Sequence, residues 1–405
     1  MGALGLESLP GDAMINYVFP NNEHVFWSVM IVIYPYITGL VAGAFVVSGL
    51  SHVFKVKEFH PIGNFALIAA FCFGLFAAVP LLFHLGQPQR AYEIYATPHL
   101  TSAMSIFGYV YGSYMVVLML EIWLIYRPFF IKKANEGAGG LFGLICRVLT
   151  LGIRRYTPEA AHVDHKFATI LAGIGIPWAF TLHGYVGFIF GSVKSIAWWA
   201  TPLQPIIFLM SAVVSGMAML MLMYCFLMWK RKQPIDMPMM RKFVAFLWGF
   251  FILDFVLEML EIMFAKYEHG HHWEVVYPLL TGPTLKYSFI YGQVLTLSVI
   301  PVVLLGFIVL KKMSDKMTIL WTNIACFLLV MQVLFMRFNV VIGGQLISKS
   351  DRGFVSYQFE VLGREGLIVA CGILSAPFIV YFILSRFIPI FEDPAAGAYE
   401  SEPRA

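Results

Sequence analysis

Long apolar segments, separated by short charged loops, follow one another through almost the whole chain. Nine of these segments hold about twenty or more mostly apolar residues, which is the length that a helix needs to cross a hydrocarbon core of about 30 Å. The pattern predicts an all-α integral membrane protein with about nine transmembrane helices. The predicted spans are residues 27–50, 62–84, 103–126, 167–191, 203–229, 243–265, 287–310, 317–338 and 367–387.

The composition supports this fold class, because only 12% of the residues are charged and 60% are hydrophobic. Soluble domains carry roughly 25% charged residues, so a soluble protein is excluded. The net charge of +4 does not indicate a nucleic-acid partner, since the basic residues lie in short loops beside apolar segments, where they set membrane orientation. The five cysteines lie far apart without a C-x-x-C pair, and they therefore predict neither an iron–sulfur cluster nor a zinc site.

Basic residues are concentrated in every second loop, which predicts how the chain is oriented. Under the positive-inside rule the N-terminus is outside and the C-terminus inside, which means periplasmic and cytoplasmic in a bacterial inner membrane. Residues 1–26 then form an outer segment, and residues 127–166 an inner loop with a short amphipathic helix. Residues 339–366 form an outer loop that is ordered or folds as a half-buried hairpin. An inner tail follows the last helix.

The sixth predicted span contains three carboxylates, Asp254, Glu258 and Glu261. Their spacings of four and three residues place them on one face of a helix. Ionisable side chains are expensive inside a membrane and usually mark a route for protons or a ligand site, although the three acids can also serve only to hold helices together. Glu121, near the inner end of the third span, either admits protons from the inside or pairs with an arginine of the inner loop.

Two histidines, His84 and His183, lie near the outer ends of predicted helices. Both are expected to face one pocket, where an imidazole can hydrogen-bond a quinone carbonyl and give it a proton. Two alternatives stay open for these residues. Each histidine can simply cap a helix end or bond a backbone carbonyl, or the pair can ligate a haem b between helices.

Two arginines lie at the outer side, Arg90 after the second span and Arg337 at the end of the eighth. Their guanidinium groups can hold the acidic residues or a redox partner. For Arg337 we favour the simpler expectation that the side chain reaches out to the membrane interface. A short run of histidines, His269, His271 and His272, lies in a polar loop, and we assign it no metal because such a run is a weak signal.

Several dispersed segments resemble one family of membrane proteins, the NrfD/PsrC family, over about residues 27–387. The segments that carry the resemblance are His84-Leu85-Gly86-Gln87-Pro88, Pro177-Trp178 through Leu182-His183-Gly184-Tyr185, the helix from Asp254 to Glu258, and Arg337-Phe338-Asn339. Members of this family are haem-free, quinone-interacting membrane subunits. The length and the histidine-bearing fourth span are similar to the branch of the family found in sulfate reducers.

The resemblance implies two packed four-helix bundles, residues 27–191 and 203–338, with residues 367–405 supplying an extra helix and the inner tail. It also implies a menaquinone or ubiquinone pocket in the first bundle, close to the outer surface and to a partner that carries iron–sulfur clusters. His84 and His183 are its expected neighbours, with Arg90 and Tyr185 as further binding residues. The second bundle is expected to conduct protons through Asp254 and Glu258.

These observations lead to one hypothesis of function. The chain is expected to be the membrane subunit of a respiratory oxidoreductase that exchanges electrons between menaquinone and a periplasmic, ferredoxin-like iron–sulfur subunit, alongside molybdopterin-type or multihaem cytochrome c subunits. No haem or iron–sulfur cluster is expected in the chain itself, which is not an enzyme alone. Protons come either from the inside, by way of Glu121 and then Asp254 or Glu258, or from the outside. The rival hypotheses are a haem b anchor, a secondary transporter and a purely structural anchor.

Overall fold

The structure is a computed structural model that describes residues 24–137, 139–311 and 313–391. Within these ranges, nine helices are long and apolar enough to cross a membrane, which confirms the predicted fold class. The predicted outer segment before residue 24 and the inner tail after residue 391 lie outside the described residues. In chain order the helices are α1 (Val29–His52), α2 (Lys57–His84), α3 (Ala103–Asn135), α4 (Pro158–Gly191), α5 (Gln204–Arg231), α6 (Met237–Glu268), α7 (Tyr287–Leu310), α8 (Asp315–Gly343) and α9 (Leu367–Phe387).

Helix α1 lies at the centre of the molecule, and almost all of its residues are buried. It packs against α2, α4, α5 and α8. Small residues allow the closest of these contacts: Gly43 of α1 crosses Gly216 of α5, and a Cβ atom on Gly43 would lie 2.7 Å from the Cα of Gly216. Gly39 and Ala212, one turn away on the two helices, continue the contact. Such small-xxx-small faces let helix backbones approach closely inside a membrane.

The helix contacts form two rings, and α1 belongs to the first of them. In the first ring α1 packs on α2, α2 on α3, α3 on α4 and α4 on α1; in the second, α5 to α8 contact one another in the same cyclic way. The rings join where α5 packs on α1 and α4, and where α8 packs on α1. Helix α9 lies outside both and packs on α2 and α1. The arrangement is two four-helix bundles plus one further helix.

Two of the helices contain π-helical segments, which the hydrophobic pattern does not predict. The first part of α7, Tyr287–Val299, is π-helical, and α8 ends in a π-helical segment, Asn339–Gly343. The predicted boundary between the eighth span and the outer loop, at residue 339, was therefore wrong. Residues 339–343 are buried, so the helix continues through them and the loop begins beyond Gly343.

The connecting segments that the structure describes include a short helix and a hairpin. Helix Gly140–Leu149 packs along α3 and is too short to cross a membrane, as expected for a helix that lies on the surface. On the side that the loop charges predict to be outer, called the outer side from here on, Val355 and Leu346 are hydrogen-bonded through their backbones, and so are Ser348 and Gly353. The predicted half-buried hairpin is therefore present over residues 346–355.

Candidate functional site

His84 ends α2 at the outer side and is held by a carboxylate from a distant part of the chain. Its Nδ1 atom lies 2.5 Å from Oε2 of Glu365 and 3.4 Å from Oγ of Ser28. The side chains of His84 and Glu365 are 25% and 28% exposed. Within the described residues every hydrogen bond of His84 uses Nδ1, so Nε2 is open toward the surroundings. A carboxylate that orients one ring nitrogen while the other remains open is typical of a positioned acid–base group.

The outer loop positions this pair by closing over the end of α2. Arg364 donates from Nη2 to the carbonyl oxygens of Leu82 and Leu85, at 3.0 and 2.6 Å. Leu82 belongs to the last turn of α2 and Leu85 is its C-cap, and a cationic donor at this helix end both satisfies the carbonyls and interacts favourably with the helix dipole. Glu365, the next residue, is thereby brought to His84. No local sequence signal marks Glu365, because it lies in a polar loop 281 positions from its partner.

His183 lies in the interior, where it contacts Arg337. Its Nε2 is 3.0 Å from Nη2 of Arg337, which also donates to Oγ of Ser211 at 2.7 Å and to the carbonyl oxygen of Phe208 at 3.1 Å. The guanidinium carbon lies 3.7 Å from the centre of the Phe208 ring. Arg337 is fully buried, and the expectation that it reaches out to the membrane interface was wrong. Its partners on α4 and α5 hold it where the two bundles meet.

The two histidines do not share a pocket. His84 lies beside Ser28, the N-cap of α1, whereas His183 lies beside Gly39. Eleven residues of α1 separate these two levels, which corresponds to about 16 Å at about 1.5 Å per helical residue. Two imidazoles that ligate one iron must bring their nitrogens to within roughly 4 Å of each other, since each metal–nitrogen bond is about 2 Å long. This arrangement argues against one haem b held by both residues.

Glu258 is the inner end of a chain of amide hydrogen bonds. Its carboxylate accepts from Nε2 of Gln293 and Nε2 of Gln332, each at 3.2 Å. Asn339 in turn donates to Oε1 of Gln293 at 2.9 Å, and Ser288 donates to Oδ1 of Asn339 at 2.6 Å. The π-helical segments of α7 and α8 contribute Ser288, Gln293 and Asn339. The amides were missed at the sequence level, although polar side chains within apolar spans are a usable signal.

The other two carboxylates of α6 have different surroundings. Asp254 is fully buried, and neither of its carboxylate oxygens has a hydrogen-bond partner among the described residues. Glu261, two turns further along α6 than Asp254, is half-buried. Arg337 is close enough to Asp254 and Glu258 to interact with both electrostatically. The three acids therefore follow α6 from the interior toward the outer side.

Glu121 is buried in the first bundle, apart from the acids of α6. Helix α3, which carries it, packs on α2 and α4, whereas α6 packs on α5 and α7. Within the described chain neither carboxylate oxygen of Glu121 has a hydrogen-bond partner. The arginine of the inner loop that lies on α3, Arg127, pairs instead with Asp164 at 2.7 Å. The structure thus does not bring Glu121 into contact with Asp254.

Arg90 and Tyr185 lie away from these clusters of hydrogen bonds. Arg90 is exposed and grips Glu93 through two bonds of 2.8 and 3.0 Å, which lowers the pKa of the Glu93 carboxyl. Tyr185 follows His183 by two residues, or about 200° around the helix, and packs on Phe188. Neither side chain hydrogen-bonds His84 or His183 in the described part of the chain.

The histidine run connects the segment after α6 to the hairpin and to the segment between α4 and α5. His271 bonds Asp351 of the hairpin at 3.0 Å, and His272 bonds the carbonyl oxygen of Ala197 at 3.1 Å. Among the residues that the structure describes, no three His, Cys, Asp or Glu side chains are placed to hold a metal ion.

Within the described residues, two four-helix bundles and one further membrane-length helix, with buried ionisable groups where the bundles meet, define a multi-pass membrane protein. Residues 18–349 match the family described as polysulphide reductase, NrfD. The chain belongs to this family and is therefore a membrane subunit of quinone-linked oxidoreductase complexes. Helix α9 lies beyond the matched residues.

Individual relatives are similar over much of the chain. One of the subunits of selenate reductase from Mesobacillus selenatarsenatis is 32% identical over 287 residues, which span 69% of this chain and 66% of that protein. The Hdr-like menaquinol oxidoreductase integral membrane subunit of Archaeoglobus fulgidus is 23% identical over 86% of this chain and 78% of its own length. Protein NrfD of Escherichia coli is 26% identical over 48% of this chain and 58% of its own length.

Proposed function

We propose that this chain binds menaquinone at its outer face, beside His84, as the membrane subunit of a respiratory oxidoreductase complex. The His84–Glu365 pair carries the proposal, because it offers an oriented imidazole with an open Nε2 at a partly exposed position. The neighbouring side chains of Leu82 and Leu85 are 39% and 42% exposed, and they supply the apolar surface that a quinone ring requires. One relative is named a menaquinol oxidoreductase subunit, which supports this quinone.

The residues around His84 fit proton exchange with a quinone. The bound quinone supplies the redox chemistry, in which two electrons and two protons are exchanged per molecule. His84 donates a proton from Nε2 to a ring carbonyl during reduction, and accepts one from a ring hydroxyl during oxidation. Glu365 fixes the orientation of the ring through Nδ1 and stabilises the imidazolium. Because the Glu365 side chain is partly exposed, the pair exchanges its proton with the outer solvent.

The electrons come from a partner protein that docks on the outer side. The segment after α2 carries exposed apolar side chains close in sequence to His84: Tyr92 is 65% exposed and Leu100 73% exposed. Exposed apolar surface of this kind marks contacts with other proteins. We propose that this surface is covered by a ferredoxin-like iron–sulfur subunit, and that molybdopterin-type or multihaem cytochrome c subunits complete the complex.

The acids of the second bundle provide a separate route for protons. Asp254, Glu258 and Glu261 form the proposed path along α6, and Glu121 admits protons from the inner side of the first bundle. Intramembrane carboxylates of this kind commonly carry protons in membrane proteins. Turnover separates charge across the membrane if this route delivers protons from the inside.

The test is the variant His84→Ala in the complex purified from its native membrane, assayed with a soluble naphthoquinone. We expect quinone turnover to fall about a hundredfold or more, which is the range for loss of an acid–base group, while all subunits remain assembled. The exposed His162, near the start of α4 and away from the proposed docking surface, gives the matched control, His162→Ala, which should retain full turnover. Normal turnover of the His84→Ala complex would show that the quinone binds elsewhere, or that the chain is only an anchor.

A further inference from the structure

The hydrogen bond between Arg337 and His183 fixes the state of the histidine. A guanidinium group has no acceptor atom and remains charged in proteins. Nε2 of His183 must therefore accept the bond from Nη2 of Arg337, and the single ring proton lies on Nδ1. Nδ1 has no partner among the described residues. His183 is thus neutral for as long as Arg337 occupies its lone pair.

Acidic groups lie near Arg337 without bonding it. Asp254 and Glu258 interact with it electrostatically, yet every hydrogen bond that the described residues give Arg337 goes to a neutral acceptor. Glu258 is held by two amides, whereas both oxygens of Asp254 and Nε of Arg337 lack partners in the described part of the chain. The guanidinium group therefore binds a base, His183, and makes no hydrogen bond to the acid that interacts with it electrostatically, Asp254.

Among the described residues, the charged side chains that act electrostatically on Arg337 are Asp254 and Glu258 of α6, and its titratable hydrogen-bond partner is His183 of α4. Helices α1, α5 and α7 contribute neutral groups, namely Gly39, Phe208, Ser211 and Gln293. In such a low-dielectric interior, moving one charge by a few ångströms changes the energy of the others strongly.

We propose that Arg337 moves between two positions, one at His183 of the first bundle and one at Asp254 of the second, and so couples the protonation of these two residues. In the present position it binds neutral His183. A proton that arrives at His183 takes the Nε2 lone pair, breaks the bond from Nη2, and makes the ring a cation that repels the guanidinium. Arg337 then turns to Asp254 and stabilises its carboxylate, so that Asp254 releases its proton toward Glu258 and Glu261. One proton enters at His183 and one leaves at Asp254.

This inference rests on the proposed function only for the source of the incoming proton, which is redox turnover. The experiment uses the whole complex in sealed proteoliposomes, with electron transfer to naphthoquinone and proton movement measured in the same sample. Arg337→Gln removes the charge and leaves a shorter polar side chain at the same position. We expect at least half of the electron transfer to remain and the protons moved per electron to fall at least tenfold.

Two further variants keep the test decisive. Arg241→Gln removes a half-exposed arginine that pairs with Asp315, and its proton-to-electron ratio should equal that of the unmodified complex. Asp254→Asn preserves the size of a side chain that has no hydrogen bond to lose among the described residues. This variant should lower the proton-to-electron ratio at least tenfold, and it tests the proposal even if the Arg337→Gln complex does not assemble. An unchanged ratio in either variant overturns the proposal, and so does an unmodified complex that moves no protons. Loss of naphthoquinone turnover in His84→Ala is a separate result and tests the proposed function alone.

Discussion

At the scale of single residues, the chemistry depends on which side chains the fold brings together. His84 is useful as an acid–base group only because Glu365 orients its ring. Arg337 is held inside by acceptors on two other helices. Glu258 is held by amides from α7 and α8. In each case the chemistry belongs to a pair of residues rather than to one.

The His84–Glu365 pair leads to a prediction about turnover. Glu365→Gln keeps the size of the side chain but removes the negative charge that orients and stabilises the imidazolium. We expect quinone turnover to fall by about tenfold to a hundredfold, as for other orienting carboxylates, with less loss than in His84→Ala. Steady-state assays of the purified complex measure this. Glu360→Gln, at an exposed position of the same loop, should leave turnover unchanged; an equal effect of both variants would contradict the assigned role.

Residue-level sequence reasoning identified which groups are chemically unusual, but not what they contact. Asp254, Glu258 and His183 stand out because polar side chains are rare in apolar spans, and all three are buried. The prediction for Arg337 failed because an arginine at a helix end reaches the interface only if no buried acceptors lie within reach. Those acceptors lie more than a hundred positions earlier in the chain, where local pattern carries no information about them.

At the scale of elements, the contact between α1 and α5 depends on the absence of side chains. A Cβ atom on Gly216 would lie 2.8 Å from the carbonyl carbon of Gly43, a separation that requires the helices to move apart. We expect Gly216→Ala to lower the thermal midpoint of the complex by several degrees and to reduce its yield, as measured by scanning fluorimetry and size-exclusion chromatography.

A second glycine provides the matched comparison. Gly249 of α6 has no atom within 4 Å of the place where its Cβ would lie. Alanine has the better helix propensity, by about 1 kcal/mol, so Gly249→Ala should leave the midpoint unchanged or raise it slightly. If both variants behave alike, close helix crossing is not what stabilises the centre of the molecule.

The helices themselves could be predicted well, since long apolar runs have few other possible structures in a membrane. Each of the nine predicted spans is matched by a helix. Their irregularities could not be predicted in the same way. The π-helical segments of α7 and α8 bring Gln293 and Asn339 together. Each segment depends on its contact with the other helix, and the apolar content of its own sequence does not indicate it.

At the scale of the whole molecule, the asymmetry of basic loops predicts the orientation in the membrane. The test places single cysteines at Ser350, in the outer hairpin, and at Gln233, in the loop after α5; both positions are exposed. Cys371 is also exposed, and the other four cysteines are buried, so the background variant is Cys371→Ser. A membrane-impermeant maleimide added to intact spheroplasts should label Ser350→Cys and leave Gln233→Cys unlabelled until the cells are lysed. The reverse pattern would invert the topology and place the His84 pair inside.

The arrangement of the whole molecule came from family resemblance rather than from pattern. Apolar runs do not say which helices are neighbours, because lipid and protein are equally apolar surroundings for a helix. The resemblance implied two four-helix bundles, and the observed contacts form two such rings with α9 outside them. The junction between the rings, where His183 meets Arg337, was therefore not accessible from hydrophobicity alone.

The central place of α1 has a consequence for biosynthesis. This helix is translated before the other eight described spans, yet the surfaces that enclose it belong to α2, α4, α5 and α8. Until those helices emerge from the ribosome, its glycine-bearing face has only lipid or an insertion factor to contact. Burial of α1 by these four helices is complete only after α8 has been synthesised, and a nascent chain interrupted earlier leaves apolar helix surface unpaired.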